Sequence, residues 1–178
     1  EDCPSSHLER IDACSQPTFD LLSSLQSFDF NTTSILPQSI SILSGGCDIT
    51  REYDICIQGA SAKCQPEPSI PQWKASETFF CQLLLPTLSE HSDCFAKKRT
   101  PRCIININRA TSSMCRLIGS IVSDIECLEK THQLGCTEDA LGMLAPIREE
   151  AIQVSKDLSC TLPSLEILTD EQVAARDA

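Results

Sequence analysis

The run Glu90-His91-Ser92-Asp93 sets a base, a hydroxyl and two carboxylates side by side, the components of hydrolytic chemistry. A hydroxyl nucleophile, however, needs its base and carboxylate gathered across a fold, and consecutive residues on a helix diverge. The chain has no Gly-x-Ser-x-Gly nucleophile elbow. His91 is therefore read as a solvated helix-end residue. His91-x-x-Cys94 and His132-x-x-x-Cys136 have the spacing of metal ligands, but metal needs a reduced thiolate and these cysteines are expected to be oxidised. Glu149-Glu150 is read as a helix surface. The expectation is a protein with no catalytic residues, no metal and no cofactor.

That expectation turns on the cysteines. Cys3, Cys14, Cys47, Cys56, Cys64, Cys81, Cys94, Cys103, Cys115, Cys127, Cys136 and Cys160 make twelve in 178 residues. The number is even, and no two stand as Cys-x-x-Cys, the close pair on which zinc modules lean. Six disulfides formed in an oxidising compartment account for the set better than metal does. Their pairing stays open, since twelve cysteines allow roughly ten thousand connectivities. The opening Glu1-Asp2-Cys3, with no initiator Met or apolar leader, is the expected start of a mature secreted chain. No apolar run approaches the roughly 20 residues of a membrane span, and Asn31-Thr32-Thr33 is a glycosylation sequon. The expected location is extracellular. A net charge of −11 and a pI near 4.6 oppose nucleic acid and anionic membranes as partners. An aromatic content of 4% leaves few platforms for stacking bases.

The element expected to position the rest is a helix over residues 100–134. Ile104, Ile107, Met114, Ile118, Ile121, Ile125 and Leu128 recur at steps of three and four, with Thr111 in the gap, which is the period of one helix face. Thr100 and Pro101 suit its start and Gly135 its end. Cys103, Cys115 and Cys127 stand twelve apart. On a helix each such step advances ~18 Å and turns by ~120°, so they should staple three different neighbours and not bond one another.

Ahead of this hub, residues 6–9 read as a capping box for a helix carrying Leu8, Ile11 and Cys14. It should be interrupted at Gln16-Pro17 and resume through Phe19, Leu22 and Leu25. Residues 29–46, rich in Ser, Thr and Asn, are read as a long surface loop, followed by a short helix over 48–58 with Gly59 as its stop. Residues 64–75, with Pro66, Pro68 and Pro71, are a second loop. Ser76 then caps a helix that Pro86 should kink. Behind the hub, Thr137 opens a last long helix through Ala140, Leu144, Ile147, Ala151, Val154 and Leu158, bent at Pro146 and tied off by Cys160. No segment sustains a period of two, and the β-branched run 104–108 continues in helical register. The fold class is expected to be all-α: a disulfide-stapled helical domain with about five helices and long irregular loops over residues 1–162. A tail, 163–178, follows that no cysteine holds; its residues 169–178 are compatible with one helical turn, and it is open to flexibility.

Lys97, Lys98, Arg99 and Arg102 gather four of the fourteen cations of an acidic chain into six residues. They are a candidate contact for a sulfated glycosaminoglycan, or a dibasic processing site, set against an ordinary solvated loop. Ser44-Gly45 is the dipeptide to which chondroitin-type chains attach. The order Cys47-x5-Tyr53-x2-Cys56, Cys64, Phe80-Cys81, Cys94, Cys103, Cys115, Cys127, Gly135-Cys136, continued by Leu144-x-Pro146-Ile147, resembles the nematode secreted domains typified by chondroitin proteoglycan 4, over about residues 3–160. That resemblance implies a secreted, non-catalytic protein, in some members carrying chondroitin; this chain departs in lacking a Ser-Gly array. Cys47-Asp48 with Tyr53-Asp54-Ile55-Cys56 is also similar to stanniocalcin, and the architecture to the helical disulfide domains of GDNF-family co-receptors. The function expected is a secreted binding protein that contacts an extracellular protein, receptor or matrix component through loops 29–46 and 64–75. The alternative is an extracellular carrier of a lipid or other small apolar ligand held between helices.

Overall fold

The computed structural model describes residues 3–26, 36–60, 64, 69–95, 102–107, 111–131 and 137–177. α1 (Ser5–Gln26), α2 (Leu36–Cys56) and α3 (Ser69–Glu77) are followed by π-helical turns over Thr78–Leu84, then α4 (Leu85–Glu90) and α5 (Ser92–Phe95). β1 (Cys103–Asn106), α6 (Ser113–Thr131), α7 (Glu138–Gly142), α8 (Leu144–Asp157), β2 (Ser164–Ile167) and α9 (Asp170–Asp177) complete the order. The domain is a disulfide-stapled helical one, as expected, with a small antiparallel sheet of β1 and β2 added.

α6 is the hub. Its stripe of Met114, Ile118, Ile121, Ile125 and Leu128 is buried, and so is every residue from Leu117 to Ile125, as in a helix enclosed on all sides. It packs against α1, α8, β1 and β2. Trp73, Phe80, Leu84, Leu88 and Phe95 from the α3–α5 rod, with Leu36 and Leu43 of α2 and Ile147 and Ala151 of α8, join it in one contiguous core. Arg148 of α8 donates to both carboxylate oxygens of Glu129 at 2.7 Å, pinning the α6–α8 seam at its edge.

α6 also holds the start of α2. The Leu36 amide, in a residue fully buried at the first position of α2, donates to Asp124 Oδ2 at 3.0 Å. This carboxylate, 88 positions away, does the work of an N-cap. Asp124→Ala would leave a buried donor without its acceptor, so a loss of about 1–3 kcal/mol is expected. Urea denaturation measures the loss, and faster hydrogen exchange at the Leu36 amide locates it. At its other end α2 stops where expected: Gly59 takes φ +82°, and Arg10 of α1 donates to the Cys56 and Gln58 carbonyls at 2.9 and 2.6 Å.

Several expectations are corrected. Residues 100–134 are not one helix. The described part splits into β1 and α6, and Ser112, whose Oγ accepts the Cys115 amide at 3.2 Å, opens α6. In β1, burial alternates from Cys103 (buried) through Ile104 (exposed) and Ile105 (buried) to Asn106 (exposed), a strand pattern too short to stand out against a helical period that fits the same isoleucines. Because β1 packs against α6 and does not continue it, Cys103 and Cys127 bond each other, contrary to the helical geometry assumed for them. The segment 163–178, read as a tail, supplies β2, which pairs with β1 in the register Cys103↔Ile167 to Asn106↔Ser164; α9 then falls in 169–178, the stretch compatible with a helical turn. Pro17 does not interrupt α1; Ala13, whose carbonyl it leaves without an amide partner, is exposed and open to water. Residues 36–46 belong to α2 and residues 69–75 to α3, not to loops; 29–35 and 65–68, the remainder of the two expected loops apart from Cys64, lie outside the described residues. Ser76 is fully buried inside α3, not a cap.

The prolines of the later helices act by displacement. Pro86 lies in the first turn of α4, and the widened turns before it absorb the disturbance, with the Leu85 amide reaching Phe80 O five residues back. The last helix breaks at Met143, so that Pro146 falls in the first turn of α8, where its missing N–H costs no bond. Thr137 caps α7 as expected, accepting the Ala140 amide at 3.3 Å.

A second, smaller cluster forms where Cys14 and Tyr53 pack with Phe19 and Ile57. Burial raises the Tyr53 phenol above its usual pKa, and the hydrogen bond with Ser15 offsets this only in part. Burial works to lower Lys74, but hydrogen bonds to Asp54 (2.7 and 2.9 Å) and Glu77 (2.8 Å) outweigh it and hold the ammonium above its usual value. Both groups hold their proton more firmly when folded. Their contribution is therefore complete below about pH 10 and is lost as pH rises through the folded values. Denaturation midpoints should be flat on this account up to about pH 10 and fall above it, with Lys74→Met showing a shallower fall.

Candidate functional site

The chain leaves α8 through a left-handed residue. Ser159 has φ +57°, its amide reaches Lys156 O at 3.0 Å, and the Cys160 amide reaches Ser155 O at 2.8 Å, a helix end of the Schellman type. This sends residues 160–163 back along α6, where three contacts fix them. Cys160 is bonded to Cys115. Pro163 sits on Gly119, where an added Cβ would lie 2.7 Å from the proline Cδ, so only glycine lets the two backbones approach this closely. Ser164 then enters the sheet opposite Asn106.

Between this returning segment, the end of β1 and the first half of α6 lies a cleft of about 240 Å³. Its polar wall is Asn106, Thr111, Arg116, Thr161 and Ser164; Ile107, Leu162 and Pro163 make it apolar elsewhere. Arg116 is half-buried. Its Nε is buried with no hydrogen-bond partner among the described residues, and its Nη2 donates to Ser113 Oγ at 3.3 Å, a long bond. Buried donors are rarely left so. The cleft is thus the place among the described residues where a charged group stands short of partners.

The residues singled out from sequence fall elsewhere. His91 closes α4, half-buried, with its ring edge-on to Phe95 at 6.2 Å. Cys94 is disulfide-bonded, so no thiolate stands beside it. Among the described residues no group of three or more His, Cys, Asp or Glu is placed to hold a metal ion. Glu149 and Glu150 are exposed on α8, as expected. Asn31, Lys97, Lys98, Arg99, His132 and Cys136 lie outside the described residues. Arg102 is described: its carbonyl accepts the Leu168 amide at 2.8 Å and its guanidinium stands 3.8 Å from Asp170. Ser44 and Gly45 are exposed within α2.

The described bridges are Cys3–Cys64, Cys14–Cys56, Cys47–Cys81, Cys103–Cys127 and Cys115–Cys160. They involve ten of the twelve cysteines read as disulfide-forming, and Cys94 is bonded as well. Arg116 was not visible as a site in the sequence. The one signal was its isolation, a single cation between Cys115 and Leu117 in a run otherwise apolar or small.

No helix among the described residues is long and apolar enough to cross a membrane. No protein-family model and no solved structure matches the chain. It is similar to a nematode protein, uncharacterized protein F44E2.4 of Caenorhabditis elegans, with 34% identity over 165 residues. The match covers 92% of this chain and 13% of that relative, so the chain spans about an eighth of the length of the curated protein it matches.

Proposed function

We propose that this chain is a secreted, disulfide-braced binding module that acts by contact with an extracellular protein or matrix component and performs no catalysis of its own. The observation that carries this reading is where the bridges lie. They tie α1 to α2, α2 to the π-helical turns, β1 to α6, and α6 to the segment after α8. Cross-ties between so many neighbours suit an oxidising compartment and a surface held in one shape. The cysteine order, which resembles that of chondroitin-proteoglycan-4-like domains, and the likeness to a nematode protein support the same reading. So does a match that occupies only a small part of a long relative, as one module of several would. Because residues 36–46 and 69–75 are helical, recognition moves from the loops first assigned to it to the cleft beside α6.

The carrier reading has less behind it. The apolar helix faces fill one another with Trp73, Phe80, Phe95, Leu84 and Leu117, each at most 1% exposed. The cleft has an arginine in its wall, a poor neighbour for a lipid tail. The test uses the oxidised chain, made through a secretory pathway, as bait in extracellular fluid and matrix extract, with a reduced and alkylated control. Capture of a defined partner that disappears on reduction is the expected result. Equal capture by both forms, or a hydrolytic activity lost in His91→Ala, would overturn the proposal.

A further inference from the structure

We infer that the cleft beside α6 receives a small carboxylate with a short apolar body, and that Arg116 is its counter-ion; this rests on reading the chain as a binding module. Three Lys or Arg residues among those described are half-buried: Lys74, Arg116 and Arg148. Lys74 meets Asp54 and Glu77, and Arg148 meets Glu129, all at 2.7–2.9 Å. Arg116 meets no carboxylate among the described residues, although the chain carries 25 acidic residues against 14 basic ones. A guanidinium half out of water with no carboxylate beside it is costly, and an anion brought against it from the cleft lowers that cost, although the Nε itself is sealed from solvent and stays out of the anion's reach.

The surroundings narrow the class. Among the described residues of the wall Arg116 is the one cation, and the chain as a whole carries a net charge of −11. A monoanion is therefore favoured over a phosphate dianion or a polyanion, which the field would repel. Asn106, Thr161 and Ser164 add neutral polar groups, while Ile107, Leu162 and Pro163 offer a surface for a few carbons. At about 240 Å³ the space lies below the range of ~300–1,000 Å³ typical of drug-sized ligands. Either a free short-chain acid or the C-terminal carboxylate of a polypeptide supplies this chemistry.

The test is an NMR titration of the oxidised full chain, followed at backbone amides and at the Arg116 Nε–H. The probes are butyrate against butyramide, and acetyl-Gly-Leu as free acid against its amide. The expected result is saturable shifts at Arg116 Nε–H, Thr111, Gly119 and Ser164 with one or both acids and none with the amides. A response to butyrate alone identifies a free acid as the source, and a response to the peptide acid alone a chain terminus. Arg116→Gln should bind at least about tenfold more weakly, and the Arg116 Nε–H response of the unaltered protein decides the matter even if that variant folds poorly. No response to either acid, or equal response to the amides, would overturn the assignment. Should the bait experiment capture a partner while the acids do nothing, the ligand assignment alone has failed. Should the acids bind while His91→Ala abolishes a hydrolytic activity, the cleft assignment stands and the non-catalytic reading has failed.

Discussion

Replacing Cys115 and Cys160 together by Ser is expected to lower the stability of the oxidised protein by about 2–4 kcal/mol, seen as a fall in the urea midpoint with a steeper slope. The bridge closes a loop with a sequence separation of 45, and by chain entropy such a loop contributes near the top of that range. The slope rises because the unfolded chain, freed of one tie, exposes more surface. This bridge also shapes the cleft directly, since Cys115 lines it and Cys160 begins its returning wall. Without the tie, residues 161–163 keep only the seat of Pro163 on Gly119 and the strand pairing of β2 with β1. Limited proteolysis should accordingly cut first between Leu158 and Ser164 in the double variant, while the unaltered protein resists there. The parallel removal of Cys14 and Cys56, with a separation of 42, should cost a similar amount without opening that segment. An unchanged midpoint for Cys115→Ser/Cys160→Ser would show that strand pairing alone holds the wall.

What the sequence made legible follows from which physical signals are local. The stripe from Met114 to Leu128 announced a buried helix because each of its residues is apolar and the period repeats without interruption. Gly59 and Thr137 declared themselves by residue type, through a left-handed stop and a hydroxyl cap. The first half of α2 stayed hidden for the opposite reason. Its buried face is Leu36, Ser39, Leu43, Gly46 and Thr50, which has helical spacing but is built as much from small residues as from apolar ones. A Ser- and Gly-rich segment reads as a loop by propensity, and tertiary packing against α1, α4 and Trp73 overrides that preference. β1 was hidden because four residues carry too little alternation, and its partner lies some sixty positions on, in Ser164-Leu165-Glu166-Ile167, where the alternation is equally short. The cleft depends on both of these and on a lone arginine whose importance lies in what does not surround it, so no motif marked it.

The two adjacent glycines of α2 should answer alanine with opposite signs. At Gly45 an added Cβ meets nothing within 4 Å, and the residue is exposed on a helix. Gly45→Ala should therefore stabilise by about 0.5–1 kcal/mol, the ordinary gain of alanine over glycine in a helix. At Gly46 the same methyl would lie 2.5 and 2.6 Å from two ring carbons of Trp73 and 3.2 Å from Leu21 Cδ2. The indole has nowhere to retreat: it is 1% exposed, stacks on Phe80 at 5.4 Å, and donates from Nε1 to Thr50 Oγ1. Overpacking of this kind costs about 1–3 kcal/mol, and only about 1 kcal/mol of helix propensity opposes it, so Gly46→Ala should destabilise. If the clash with the outer indole ring is the cause, Trp73→Phe, which removes those ring atoms, should relieve it. The double variant Gly46→Ala/Trp73→Phe should then lose less than the sum of the single losses, by about 1–2 kcal/mol. Four urea midpoints, with Gly45→Ala as the reference for propensity alone, measure this coupling. Strict additivity would mean that α2, rather than Trp73, moves to admit the methyl, and that the seam between α2 and α3 is softer than its burial implies.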